Sequence, residues 1–157
     1  MQFRLASEQD AESISMLNAD VQKLHADALP HLFKQPTEAT FPIATVIDLL
    51  NTPNHHFFMG EEEGKAVGYV YVEIQSVPES AIRYAATRVF IHHLSVQSQH
   101  QNKGYGGKLL WGVREWAKSK GITTMQLDFW SFNSGARAFY NKHGFTTFNE
   151  RMWMEIE

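Results

Sequence analysis

Three places in the 157-residue chain carry groups that could do chemistry. The densest is Gln101-Asn102-Lys103-Gly104-Tyr105-Gly106-Gly107. Glycines without a Cβ let successive backbone N–H groups turn toward one point. A helix beginning there adds roughly half a positive charge. Together these make an anion cradle suited to a pyrophosphate, and Lys103 and Lys108 add screened charge. A magnesium-dependent phosphate loop would need Ser or Thr after Lys108, where Leu109 stands. A dinucleotide fingerprint would need a third glycine at the same Leu109. A plain glycine-rich turn into a helix is the alternative.

The second place is Asn133 with Tyr140. Seven residues along a helix turn through about 700°, so the two share one side, and the small Ala136 lies with them. Tyr140 can be a working phenol or a half-buried packing residue. Asn133 can bind a ligand, cap the helix, or do both.

The third place is His92-His93, in a strand pattern. Neighbouring strand residues point to opposite faces, so this pair is not expected to share a metal, and neither is His55-His56. His92 is a candidate base or a buried histidine satisfied by a neighbour, whereas His93 is expected to be structural. Glu61-Glu62-Glu63 reads as a solvated hairpin tip. Trp111, Trp116, Trp130 and Trp153 are scattered and read as packing. No metal site is expected.

These groups must be held by a frame that the pattern predicts in outline. Phe3–Ala6 reads as a strand. Ala11, Ile14, Leu17, Val21, Leu24 and Ala28 recur at helical spacing, and Pro30, Pro36 and Pro42 mark an irregular connector. Ile43–Leu50 is a short helix. Strands follow at His55–Glu62, Lys65–Ile74 and Ala85–Val96, with a hairpin turn at Glu63-Gly64-Lys65. A helix from Tyr105 to Lys120, a strand Ile122–Trp130, a helix Ser134–His143 and last strands Phe145–Phe148 and Arg151–Ile156 complete the order. The expected fold class is α/β (α+β), a mixed, mostly antiparallel central sheet with helices on both faces, as a single domain over 1–157.

Composition narrows the function classes. With no cysteine there is no disulfide scaffold and no thiol nucleophile. The net charge of −3 argues against a general nucleic-acid binder. Residues 1–63 hold three basic and ten acidic groups, and residues 64–157 eleven basic and seven acidic. An anionic ligand should therefore prefer the second part and a cationic one the first. No apolar run long enough for a membrane span and no signal peptide is visible, so the expected location is the cytoplasm, with no membrane partner.

Two blocks resemble the GNAT N-acetyltransferase superfamily. Leu94-Ser95-Val96, followed by Gln101-x-x-Gly104-x-Gly106, is similar to its cofactor motif in the Gln form. Asn133 to Phe145 is similar to its N-x-x-A-x-x-F-Y-x-K-x-G-F signature at every fixed position. The resemblance implies acetyl-CoA as co-substrate and a primary amine, on a small molecule or a protein, as acceptor. It implies a splay between the strand ending at Val96 and Ile122–Trp130. There pantetheine would pair with the backbone of Leu94 and Val96, beside Ser95. Backbone amides of Asn102, Lys103, Gly104, Tyr105, Gly106 and Gly107 would hold the pyrophosphate, with Gln101 and Asn133 also at the cofactor. It implies Tyr140 as the acid for the leaving thiolate, and His92, two residues before Leu94, as the residue serving the amine. Residues His25–Pro42 would line or cover the acceptor. A homodimer is left open, and the alternative function is an acyl-CoA-binding regulatory module without catalysis.

Overall fold

A computed structural model describes residues 1–156. Strand β1 (Gln2–Leu5) leads through a single 3-10 turn into helix α1 (Ala11–Ala28), then helix α2 (Ile43–Leu50). Strands β2 (His55–Glu62), β3 (Lys65–Val77) and β4 (Ala86–Val96) follow, then helix α3 (Tyr105–Ser119), strand β5 (Met125–Leu127) and helix α4 (Ser134–Lys142). The strands form one sheet in the order β1-β2-β3-β4-β5. All neighbours are antiparallel except β4 and β5, which are parallel. The sheet is therefore mixed and mostly antiparallel, as expected.

Alternation along the strands explains the layers. Phe57, Met59, Tyr69 and Tyr71 point to one face and are covered by α1 and α2 through Ile14, Leu17 and Val46. Phe58, Val70, Val72, Val89 and Ile91 point to the other and are covered by α3 through Leu109, Leu110, Val113 and Ala117. The β2–β3 hairpin turns on Glu63 (φ 51°) and Gly64 (φ 75°), the left-handed pair that a two-residue hairpin requires. At the start of the chain, the Arg4 guanidinium grips Asp10 at 2.7 Å and also Glu61, tying β1, the first turn and β2 together. That pairing holds the Asp10 carboxyl down at about 2.

Two departures from the sequence reading concern the C-terminal third. The expected strand Ile122–Trp130 forms only over Met125–Leu127, and its pairing with β4 stops at Ile91. The expected strands Phe145–Phe148 and Arg151–Ile156 do not form at all. A strand pattern records a surface that wants a partner, and without one it makes no ladder. Phe148, Met152, Trp153, Met154 and Ile156 are accordingly exposed. Trp111 and Trp130 are also largely exposed, so the packing role read for the tryptophans holds for Trp116, against His56 and Phe58.

Candidate active site

The site begins where β4 parts from β5. Beyond the pair Ile91 and Leu127, β4 runs on to Val96 with only β3 beside it. Gln97 N–H bonds to Val67 C=O at 2.9 Å, which fixes the phase of the antiparallel ladder. Ser95 and Tyr69 are then a hydrogen-bonded pair, and Leu94 and Val96 turn their backbone groups outward to the open edge. The Val96 carbonyl already accepts a bond from the Gln101 side chain at 3.0 Å, so Gln101 braces the strand end. Ser95 is buried and donates to the Leu17 carbonyl at 2.7 Å. Its side chain joins β4 to α1, an exchange worth about 1 kcal/mol.

The glycines after that edge do different jobs. Gly104 caps α3 in the left-handed region, at φ 79°, with Asn102 also left-handed at φ 62°. The first intrahelical bond runs from Lys108 N–H to Gly104 C=O, leaving the N–H groups of Tyr105, Gly106 and Gly107 outside the helical ladder. Gly106 and Gly107 sit inside the helix and give room to α4. A Cβ on Gly106 would lie 3.2 Å from Phe139, and one on Gly107 2.8 Å from His143. The Tyr105 phenol is turned away to Glu62, which leaves its backbone for a ligand. Lys103 precedes the cap, in the same turn.

Between α1 and α4 the splay opens into a cleft of about 930 Å³. His92, Leu94, Ser95, Val96, Gln101, Asn133, Ala136 and Tyr140 all line it. Asn133 is the cap of α4, its Oδ1 accepting from Ala136 N–H at 2.9 Å, and it also lines the cleft. Tyr140 is set among Phe129, Phe139 and Phe145, and this burial pushes its phenol up to about 12. Its hydroxyl has no hydrogen-bond partner among the described residues.

The histidines depart from the expected alternation. His93 pairs with Tyr71 while Ile91 pairs with Val72, so His92 is the extra residue of a β-bulge. Both imidazoles therefore lie on the α1 side, at 4.7 Å and 5.4 Å from the Tyr71 ring. The reading that His92 and His93 face opposite ways is overturned by that inserted residue. Their surroundings still differ. Asn18 donates to the Tyr69 hydroxyl at 2.9 Å, and that hydroxyl lies 3.0 Å from His93 Nδ1. Burial lowers His93 to about 4. His92 opens to the cleft, with its Nε2 2.8 Å from the Glu73 carboxylate. For His55 and His56 the alternation does hold. His55 bonds the Tyr71 hydroxyl at 2.6 Å, and His56 meets Trp116 on the far face.

Glu73, Tyr71 and His55 are the functional candidates that the sequence reading missed. The available signal was the period of two on β3, which puts positions 69, 71 and 73 on one face, but it names no partner on β2 or β4. Gln75 and His92 hold the Glu73 carboxyl below its usual range, through a 2.9 Å bond from Gln75 and the pair with His92. Among the described residues no group of three His, Asp or Glu is placed to hold a metal ion. No helix of the described residues is long and apolar enough to cross a membrane.

The model of the acetyltransferase (GNAT) family matches residues 19–145. The chain belongs to that family. Its fold matches solved structures along the whole length. A tetramutant of the BH1408 protein of Bacillus halodurans has a TM-score of 0.94 at 20% identity, covering 99% of this chain and 100% of that one. The aminoglycoside antibiotic 6'-N-acetyltransferase of Acinetobacter haemolyticus has a TM-score of 0.74 at 16% identity, covering 100% and 99%. Among curated proteins, streptothricin acetyltransferase A of Bacillus subtilis is 34% identical over 54% of this chain and 50% of its own length. The uncharacterized N-acetyltransferase YycN of the same organism is 28% identical over 61% and 58%. The chain thus spans about half the length of the curated relatives it matches.

Proposed function

We propose that this acetyltransferase moves the acetyl group of acetyl-CoA to a primary amine by direct attack inside the cleft. The observation that carries the reading is the convergence of the open β4 edge, the Tyr140 phenol and His92, itself bonded to Glu73, on one cavity. The outward backbone of Leu94 and Val96 suits pantetheine laid alongside as an extra strand. The N–H groups of Asn102 to Gly107, gathered at a helix start, suit the pyrophosphate.

The acceptor enters as an ammonium with pKa near 10.4, so at pH 7 about one molecule in 2,500 carries a free lone pair. Freeing it costs roughly 4–5 kcal/mol unless the site helps. His92 takes that proton, directly or through a water. The amine nitrogen then bonds to the thioester carbonyl carbon. Collapse of the tetrahedral centre breaks the C–S bond, and Tyr140 gives its proton to the sulfur. The phenolate recovers a proton from the nitrogen that becomes the amide. With its phenol near 12, Tyr140 is fully protonated at neutral pH. Donation to a thiolate of pKa about 8.5 is uphill by about 5 kcal/mol on the aqueous scale of the thiol. The apolar walls that raise the phenol also raise the thiolate, which narrows the gap.

The acceptor side favours a cation. Of the charges on α1 and beyond it that line the cleft, Lys23 and Asp27 pair at 2.5 Å and cancel, which leaves Asp20 and Asp128. The curated relative named for streptothricin and the structural neighbour named for aminoglycosides make small antibiotic amines reasonable members of a first panel. The test is release of free CoA thiol from acetyl-CoA across a panel of amines and of acidic counterparts. Because the chain has no cysteine, a thiol reagent reads only the product. Thiol release with cationic amines is expected. Tight CoA binding with no release for any amine would overturn catalysis, and preference for acidic acceptors would overturn the charge argument.

A further inference from the structure

The His92 ring does not stand alone. It lies against Tyr71 of β3 at 4.7 Å and near His55 of β2 at 6.4 Å, almost parallel to both. Its Nε2 is 2.8 Å from Glu73 Oε2. An ionised carboxylate only accepts, so Nε2 must carry the hydrogen, and Nδ1 is left with its lone pair. The same Oε2 accepts from Gln75 Nε2 at 2.9 Å, and His55 Nε2 lies 3.9 Å from Oε1. His55 in turn is held by the Tyr71 hydroxyl through Nδ1. The carboxylate is thus anchored from β2 and β3 while it reaches the bulged residue of β4.

We infer that Glu73 is a positioning residue for the acetyl transfer, holding His92 in the Nε2–H form so that Nδ1 meets the incoming ammonium. The proposal rests on the reading of His92 as the base. In the step, one proton leaves the ammonium nitrogen for Nδ1 and the imidazole becomes imidazolium. Glu73 stays ionised and keeps its bond from Nε2, now from a cation, beside the one from Gln75. A charge-assisted bond of that kind is stronger than its neutral counterpart, so the pair assists the proton transfer itself. The bulge is what makes this geometry available. It inserts His92 where a regular strand would have placed Ile91 and His93 on successive rungs.

The titratable groups around His92 are Glu73 and Tyr71 from β3, His55 from β2 and His93 beside it, with Asp128, Tyr140, His25 and the α1 charges Asp20, Lys23 and Asp27 lining the same cleft. Of these, Glu73 is the carboxylate bonded to the ring. Glu73→Gln keeps the shape and removes the charge. With the full chain, acetyl-CoA and the best amine of the panel, kcat/KM should fall by about tenfold to a hundredfold, while CoA affinity stays within twofold of wild type. Glu73→Asp, which restores the charge on a shorter arm, should recover part of the rate.

NMR of the ring-labelled His92 nitrogens reads the same pair without any turnover. The neutral ring should be mostly Nε2–H in wild type, and that preference should weaken in Glu73→Gln. An unchanged balance of the two neutral forms overturns the proposal whatever the chain catalyses. A changed balance in a protein that releases no thiol with any amine upholds the pair and rejects the reading of function. Full activity of His92→Ala beside an inactive Glu73→Gln would make Glu73 itself the base and overturn the positioning role.

Discussion

In the proposed reaction the donor end and the proton-transfer end of the cleft would draw on different materials. The donor would meet backbone: the outward edge of Leu94 and Val96 and the unladdered N–H groups at the start of α3. Proton transfer would use side chains from three strands and a helix: His55, Tyr71, Glu73, His92 and Tyr140. A backbone site is written in one contiguous stretch, because local φ and ψ create it. A side-chain site exists only after the sheet has set its register. Substitutions should therefore separate the two ends, with affinity for CoA reporting on the first and turnover on the second.

The largest separation is expected at Tyr140. Tyr140→Phe removes the hydroxyl and keeps the ring that meets Phe129, Phe139 and Phe145. Turnover should fall by about 10²–10⁴, the usual share of general acid catalysis, with CoA affinity almost unchanged. Turnover and CoA affinity measured on one preparation check it. Turnover within a few-fold of wild type would return Tyr140 to packing and leave a water as the acid.

His92→Ala should come next, with a loss of about 10²-fold at pH 7. The loss should shrink toward high pH, where the amine arrives already free. The profile of kcat/KM against pH decides the matter. A loss of the same size at every pH would mean that His92 only shapes the cleft.

What could be read in the chain follows the same division. The glycine turn, the block from Asn133 to Phe145 and the hairpin at Glu63-Gly64 each lie in a few consecutive residues, and each forms as read. Glu73 was invisible because its meaning lies 19 positions away in His92 and 18 away in His55. The bulge at His92 was invisible for a related reason. It is a property of two strands: β4 carries no glycine or proline, and Gly68 of β3 lies three residues away from the bulge at Tyr71. The terminal strands failed in the opposite sense, since their apolar and β-branched residues are present and their ladder partner is not.

His93 tests the contrast inside the bulge itself. The two histidines are adjacent, yet one opens to the cleft and the other is bonded into the interior with Tyr69 and Asn18. Burial lowers His93 from 6.5 to about 4, so between those values the unfolded chain binds a proton that the native state refuses. Stability should therefore be full above pH 6.5 and fall as the pH drops toward 4, by at most about 3 kcal/mol for this group. His56, also lowered by burial, adds in the same direction. Denaturant melts of wild type and His93→Phe at pH 7, 5.5 and 4.5 give the comparison. The variant should lose less stability on acidification. Parallel curves would show that His93 titrates in the native protein as it does in the unfolded one.

The smallest effects are expected at the donor end, from a matched pair of alanines. At Gly104 an added Cβ meets nothing within 4 Å, so Gly104→Ala feels only its φ of 79°. That strain is about 1–2 kcal/mol, and relaxing it would tilt the first N–H groups of α3. At Gly106 the backbone is ordinary helix, and the added Cβ lies 3.2 Å from Phe139, whose ring adjoins Tyr140 at 5.1 Å between centroids. The neighbour that must give is on α4, so the disturbance passes to the proton-transfer end. Gly104→Ala should weaken CoA binding by about tenfold, the worth of roughly one hydrogen bond to a charged group, with turnover at saturation little changed. Gly106→Ala should do the reverse, lowering turnover more than affinity. Saturation kinetics in acetyl-CoA on both variants give the two ratios directly. Equal ratios would mean that the two ends of the cleft do not divide at the glycines, and that α3 answers to either substitution as one rigid body.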